Sequence, residues 1–261
     1  MTRQHLLFDC EGMQLAATLD LPDDETAANA GLLIVSGGNE TRAGAWSGQA
    51  QLAARMAAEG FAVLRFDRRG VGDSEGVNAG YRESAPDIAA AVATFRRECP
   101  QLGGVMALGN CDAASALMLA GGAACDGLIL ANPWTFDKES AATPQPSAIR
   151  AHYRRRLADR SAIKRLLTGQ VSLRRLLSSL RQGSAAPPPP SALTQAMRVG
   201  LAGFAGPVVF AVASRDRTGE AFLAAWGPDD RIRLCSQASH SFVEPDARPW
   251  LEERVLEMLR G

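Results

Sequence analysis

The chain has 261 residues, enough for one α/β domain with a packed core, or such a core carrying a small insertion. Apolar residues make up 46% of it, which excludes wholesale disorder. Its 28 basic and 28 acidic residues cancel, which argues against a dedicated nucleic-acid binder.

The five cysteines are Cys10, Cys99, Cys111, Cys125 and Cys235. Their number is odd, no two form a C-x-x-C pair, and only three histidines accompany them. Free thiols in a reducing compartment are therefore expected, with neither a structural zinc site nor an organic cofactor. Met1–Asp9 has no long apolar run of the signal-peptide kind, and no stretch approaches the ~20 apolar residues of a spanning helix. A cytoplasmic protein is expected.

Apolar segments at Leu6–Phe8 and Leu15–Leu21, with Glu11-Gly12 between them, predict a hairpin. The run Gly31–Ser36 suits a strand buried on both faces. A helix is expected over 45–59, closed by Gly60, and a second buried strand over Phe61–Phe66. The alternation continues with a helix at Ser84–Glu98, a strand at Gly104–Leu108, a helix at Cys111–Ala120 and a strand at Gly127–Ala131. Strands at Pro207–Ala213 and Arg231–Cys235 and a helix at Ala247–Arg260 complete it. Such alternation predicts an α/β fold with a mostly parallel central sheet and helices on both faces. Residues 134–205 interrupt it. Pro187–Pro190 mark a stiff connector, and 147–182 carry an amphipathic helical pattern. The organisation expected is a core of 1–133 and 206–261 with a helical cap of 134–205.

The stretch Val105–Ser115 passes from apolar strand to Gly109-Asn110-Cys111-Asp112-Ala113 and then to helix. This is the frame of the G-x-S-x-G nucleophile elbow, with cysteine for serine and alanine for the last glycine. The sharp reversal requires small residues two positions either side of the nucleophile, and Gly109 and Ala113 are small. A thiol at a helix N-terminus gains thiolate character from the free N–H groups and the dipole. The competing reading is a small buried thiol at the start of a packed helix.

The elbow's chain order is nucleophile, acid, histidine. Asp216 follows the Pro207–Ala213 strand, and His240 lies between the last strand and the last helix. Asp137 is a rival acid. The only other histidines are His5, near the N-terminus, and His152, in the expected cap. Gly37 and Gly38 after the first long strand allow close backbone approach to a substrate. Gly38 or Asn39 is expected to supply one oxyanion N–H, and Asp112 the other. The Asp112 carboxylate would oppose thiolate formation if it faced the sulfur, so it is expected to point away. Asp67–Ser74 reads as a structural loop, with Gly70 and Gly72 for turns and Asp67 for loop hydrogen bonds. No G-K-[ST] follows it, which argues against phosphate binding.

These pieces resemble the α/β-hydrolase superfamily along nearly the whole chain. Within it, Ser36–Arg42, Phe66–Ser74 and Gly109–Ser115 resemble the exosortase A system-associated hydrolase type 1 family. That resemblance implies a link to exosortase and exopolysaccharide systems and leaves the substrate undefined. Dienelactone hydrolases also resemble the chain in pairing a Cys nucleophile with Asp and His, but lack a comparable cap.

Between Asp137 and Gly206 twelve basic residues face three acidic ones, a net charge of about +9. Three readings stand: a solvated lid, attraction of an anionic substrate or acyl carrier, and peripheral contact with anionic lipid. The function expected is an acyl hydrolase, an esterase or thioesterase working through an acyl-enzyme on Cys111, Asp216 and His240 without a metal. Its partner would be a small-molecule or carrier-bound acyl substrate, not a nucleic acid. The alternatives are an acyltransferase on the same triad and a non-catalytic binding protein on a hydrolase fold.

Overall fold

The computed structural model describes residues 1–23, 28–136 and 191–261. An eight-stranded sheet runs through it. In chain order its strands are β1 (Thr2–Cys10), β2 (Met13–Leu21), β3 (Ala30–Val35), β4 (Ala62–Phe66), β5 (Gly104–Asn110), β6 (Gly127–Ala131), β7 (Val208–Ala213) and β8 (Ile232–Cys235). They lie side by side as β1-β2-β4-β3-β5-β6-β7-β8. The hairpin β1–β2 joins antiparallel to β4, and from β4 through β3 to β8 every pairing is parallel.

The described helices are α1 (Gly48–Ala58), α2 (Ala85–Glu98), α3 (Asp112–Leu119), α4 (Ala192–Ala202), α5 (Arg217–Trp226) and α6 (Ala247–Arg260). Side-chain alternation along the strands divides them between two faces. On β3, Leu32 and Ile34 meet Leu52 and Met56 of α1 and Val255 and Leu259 of α6. Leu33 and Val35 point the other way, into the larger core with Phe95 of α2, Leu117 of α3 and Phe222 of α5. Burial on both faces is why these strands read as unbroken apolar runs.

Three elements differ from the sequence expectation. The helix expected over 45–59 begins only at Gly48, because Trp46 and Ser47 take left-handed conformations. No helix was expected between the last two strands, but α5 occupies that connection, and the Asp216 side chain caps it by accepting from Gly219 N at 3.0 Å. The third is α4, which falls at the end of the expected cap range. Its Leu193, Met197 and Leu201 are buried in the larger core. The N-terminal cap of α4 is Ser191, whose side chain accepts from Thr194 N. Most of the expected insertion, with Asp137, His152 and Pro187–Pro190, lies outside the described residues. No described helix is long and apolar enough to cross a membrane.

Candidate active site

At the end of β5 the chain reverses into α3 within one residue. Cys111 sits there at φ 61°, ψ −124°, a conformation costly for any side chain. Neighbours hold it: Cys111 N donates to Ala131 O at 2.9 Å, and Cys111 O accepts from Trp134 N at 3.2 Å. The turn is tight. A methyl group added to Gly109 would stand 2.8 Å from the Ala113 carbon and Ala114 nitrogen, so the backbones themselves demand glycine there. Ala113 is fully buried, which leaves no room for a longer side chain. Cys111 is half-buried, whereas Cys10, Cys99, Cys125 and Cys235 are all buried.

The parallel sheet carries the C-terminal ends of β5, β7 and β8 to one rim. The loop after β7 places Asp216, and the loop after β8 returns His240 to it. Asp216 Oδ2 lies 2.9 Å from His240 Nδ1. The ring is held up to about 10, first by the hydrogen bond to Asp216, then by one to Cys111, with burial working against both. Nδ1 of the ring is thus on the acid, and the Cys111 side chain is near enough to add to the upward shift. For Asp216, burial pushes the carboxyl up, but the His240 hydrogen bond and charge and the Gly219 and Thr218 N–H groups outweigh it and the net direction is down.

The glycine loop after β3 closes a third side. A methyl group on Gly37 would stand 2.7 Å from Asn110 O and 3.7 Å from the Cys111 Cβ, so only glycine permits this approach to the elbow. Gly38 takes φ +56°. Its N–H donates to Asp112 Oδ1 at 2.7 Å. The Asp112 carboxylate is therefore turned onto the glycine loop, and one of the two expected oxyanion donors is engaged with it. Arg68, buried and donating to Ser84 Oγ at 3.1 Å and to Gly38 O, holds an Nη2 3.7 Å from Asp112 Oδ2. Asn78 Nδ2 donates to Asn39 Oδ1 at 2.9 Å. The Asp67–Asn78 loop thus clamps the glycine loop from outside. Within it Asp67 accepts from Arg42 N and Asp73 N, and Gly70 and Gly72 take positive φ. Among the described residues no group of three or more His, Cys, Asp or Glu stands close enough to share a metal ion.

Residues 32–253 match the model of the alpha/beta hydrolase family. The chain belongs to that family. Solved hydrolases share its architecture at low identity. The esterase Est1E of Butyrivibrio proteoclasticus, bound to ferulic acid, is 15% identical with a TM-score of 0.61, covering 98% of this chain and 100% of its own. The Pyrococcus furiosus esterase PF2001 is 14% identical at 0.63, covering 99% and 90%. The α/β hydrolase GrgF of Penicillium is 15% identical at 0.65, covering 100% and 98%. These likenesses are of fold. No curated protein matches the sequence.

Two asparagines not expected among the site residues hold the backbone of His240. Asn132, fully buried at the end of β6 with φ +42°, accepts from Ala213 N at 2.8 Å through Oδ1. Its Nδ2 donates to His240 O at 3.1 Å and to Asn110 Oδ1 at 3.3 Å. Asn110 Nδ2 donates to the same His240 carbonyl at 3.2 Å. Two amides on adjacent strands therefore fix the backbone of the histidine. Nothing in the sequence marks either residue, and the positive φ of Asn132 is visible only in the fold.

Proposed function

We propose that this hydrolase cleaves an ester or thioester through an acyl-enzyme on Cys111. The observation that carries the reading is the His240 ring held by Asp216 at 2.9 Å, on the same rim as the half-buried Cys111 at the start of α3. The Cys111 thiolate, paired with the His240 imidazolium, attacks the carbonyl carbon. The oxyanion is received by Asp112 N–H and by an N–H of the Gly38–Asn39 loop. Gly38 N–H becomes available when the Asp112 carboxylate turns to Arg68. The C–O or C–S bond breaks, and the leaving group takes the proton from His240. Water then gives a proton to the neutral imidazole and attacks the thioester, releasing the acid and restoring the thiolate.

A thiolate nucleophile suits esters and thioesters better than amides, because sulfur is itself expelled readily from a tetrahedral intermediate made with an amide. The fold likeness to two esterases, one holding ferulic acid, supports ester chemistry. The cationic surplus between Asp137 and Gly206 supports a substrate or carrier of negative charge, with 134–205 as a cap over the site. The resemblance to exosortase-associated hydrolases supports a place beside exopolysaccharide chemistry.

The test is p-nitrophenyl ester turnover alongside iodoacetamide labelling. Burial pushes the thiols of Cys99 to about 11 and Cys125 to about 12 and raises that of Cys10. Cys235 is buried as well, so labelling of the folded protein is expected at Cys111 alone. Cys111→Ala should abolish it and lower turnover by about 10⁴. Turnover persisting in Cys111→Ala would reject the assignment.

A further inference from the structure

A cleft lies on the sheet face covered by α1 and α6, next to the rim that carries Cys111 and His240. Its floor is Ile34, Leu108 and Ala131, at or near the C-terminal ends of β3, β5 and β6, and its sides are Leu52 of α1, Leu251 of α6 and Phe242. Its upper edge belongs to the catalytic rim. Asn110, directly before Cys111, and Ser241, directly after His240, both line it. Cys111 and His240 do not line it themselves; it adjoins them through these two neighbours.

The charged groups on its walls balance. Arg55 and Arg248 are matched by Glu40 and Glu252, and Arg55 Nε lies 2.6 Å from Glu252 Oε1. A cleft with apolar walls and no net charge selects an uncharged apolar occupant.

Trp46 adds a second observation. It lines the cleft, yet it is 84% exposed. It and Ser47 both take left-handed conformations, φ 55° each, directly after Gly44 at φ 72°. Two consecutive non-glycine residues in this region are strained, and such strain gathers where ligands are held. The strained turn carries a large flat ring to the wall of the cleft.

We propose that the cleft is the acyl subsite, and that it takes a neutral, apolar acyl group of several carbons, straight-chain or aryl-terminated, against Trp46. This rests on the hydrolase reading above. The acyl group extends from the carbonyl carbon down the α1–α6 cleft while the leaving group faces His240.

Two measurements test it. In the first, p-nitrophenyl acetate, hexanoate and 3-phenylpropionate are compared, so that the leaving group is constant. The kcat/KM ratios of the two longer esters to acetate should be tenfold or more. Trp46→Ala should reduce those ratios several-fold, mainly through KM, and Leu52→Trp, which fills the cleft, should bring them near one. Ratios cancel any loss common to all three esters, and Trp46→Ala tests the idea even where Leu52→Trp fails to fold. In the second, hexanamide is titrated into Cys111→Ala protein by calorimetry, with binding expected to weaken tenfold when Trp46→Ala is added. Ester turnover with ratios near one, or ratios unmoved by Trp46→Ala, would overturn the subsite and leave the hydrolase standing. Trp46-dependent hexanamide binding without any ester turnover would support the cleft and reject the hydrolase.

Discussion

Cys111 differs from the other four cysteines in both backbone and exposure. It alone sits at a strained reversal, and it alone is not buried. Its partner is defined by Asp216, whose hydrogen bond is the first reason that the His240 imidazolium survives to about pH 10 against an ordinary value near 6.5. The sign of a substitution follows. A group raised by an anion keeps its proton below the raised value and loses it sooner once the anion is gone. Asp216→Asn should therefore shift the alkaline limb of kcat/KM toward acid, as well as slowing turnover by roughly 10²–10⁴. A pH–rate profile checks both. An alkaline limb that stays in place would mean that Asp216 does not support the imidazolium.

The elements that position these residues depend on close backbone contact. The elbow's demand for small residues was legible from spacing alone, because Gly109 and Ala113 are imposed by sterics that any strand-to-helix reversal shares. The packing of α4 on α3 was not. A methyl group on Gly200 would stand 2.0 Å from Met118 O and 3.2 Å from Leu119 O, both backbone atoms that cannot rotate away. Gly200→Ala should push α4 off the helix that carries Cys111 and destabilise the protein by about 1–3 kcal/mol. Denaturant unfolding measures this, and an unchanged midpoint would show that the two helices separate freely. The helix α5 also escaped sequence reading. It is a ten-residue helix carrying Gly219 in its first turn, so its apolar pattern of Ala221, Phe222 and Trp226 is too brief to stand out, and its cap is the same Asp216 that reads as the triad acid.

At the scale of the whole molecule, the parallel order from β3 to β8 does the gathering. Residues 111, 216 and 240 are far apart in sequence, yet each follows a parallel strand, so each emerges at the same edge of the sheet. That much follows from alternation and chain order, which is why the fold class, and the rim shared by these residues, could be read from the sequence. Local hydrogen-bond choices could not. Asp112 bonding to Gly38 N, Arg68 behind it, and Asn110 with Asn132 on the His240 carbonyl all arise from strands and loops brought together by folding. The expected cap of 134–205 contributes only its two ends to the described residues.

The most direct test of the central claim is the mass of the protein during turnover. Wild-type enzyme mixed with excess p-nitrophenyl butyrate and quenched in acid should carry one butyryl group, located by peptide mapping to the segment containing Cys111 and absent from Cys111→Ala. Turnover with no adduct at Cys111, or with the butyryl group on Ser115 or another residue, would contradict the account.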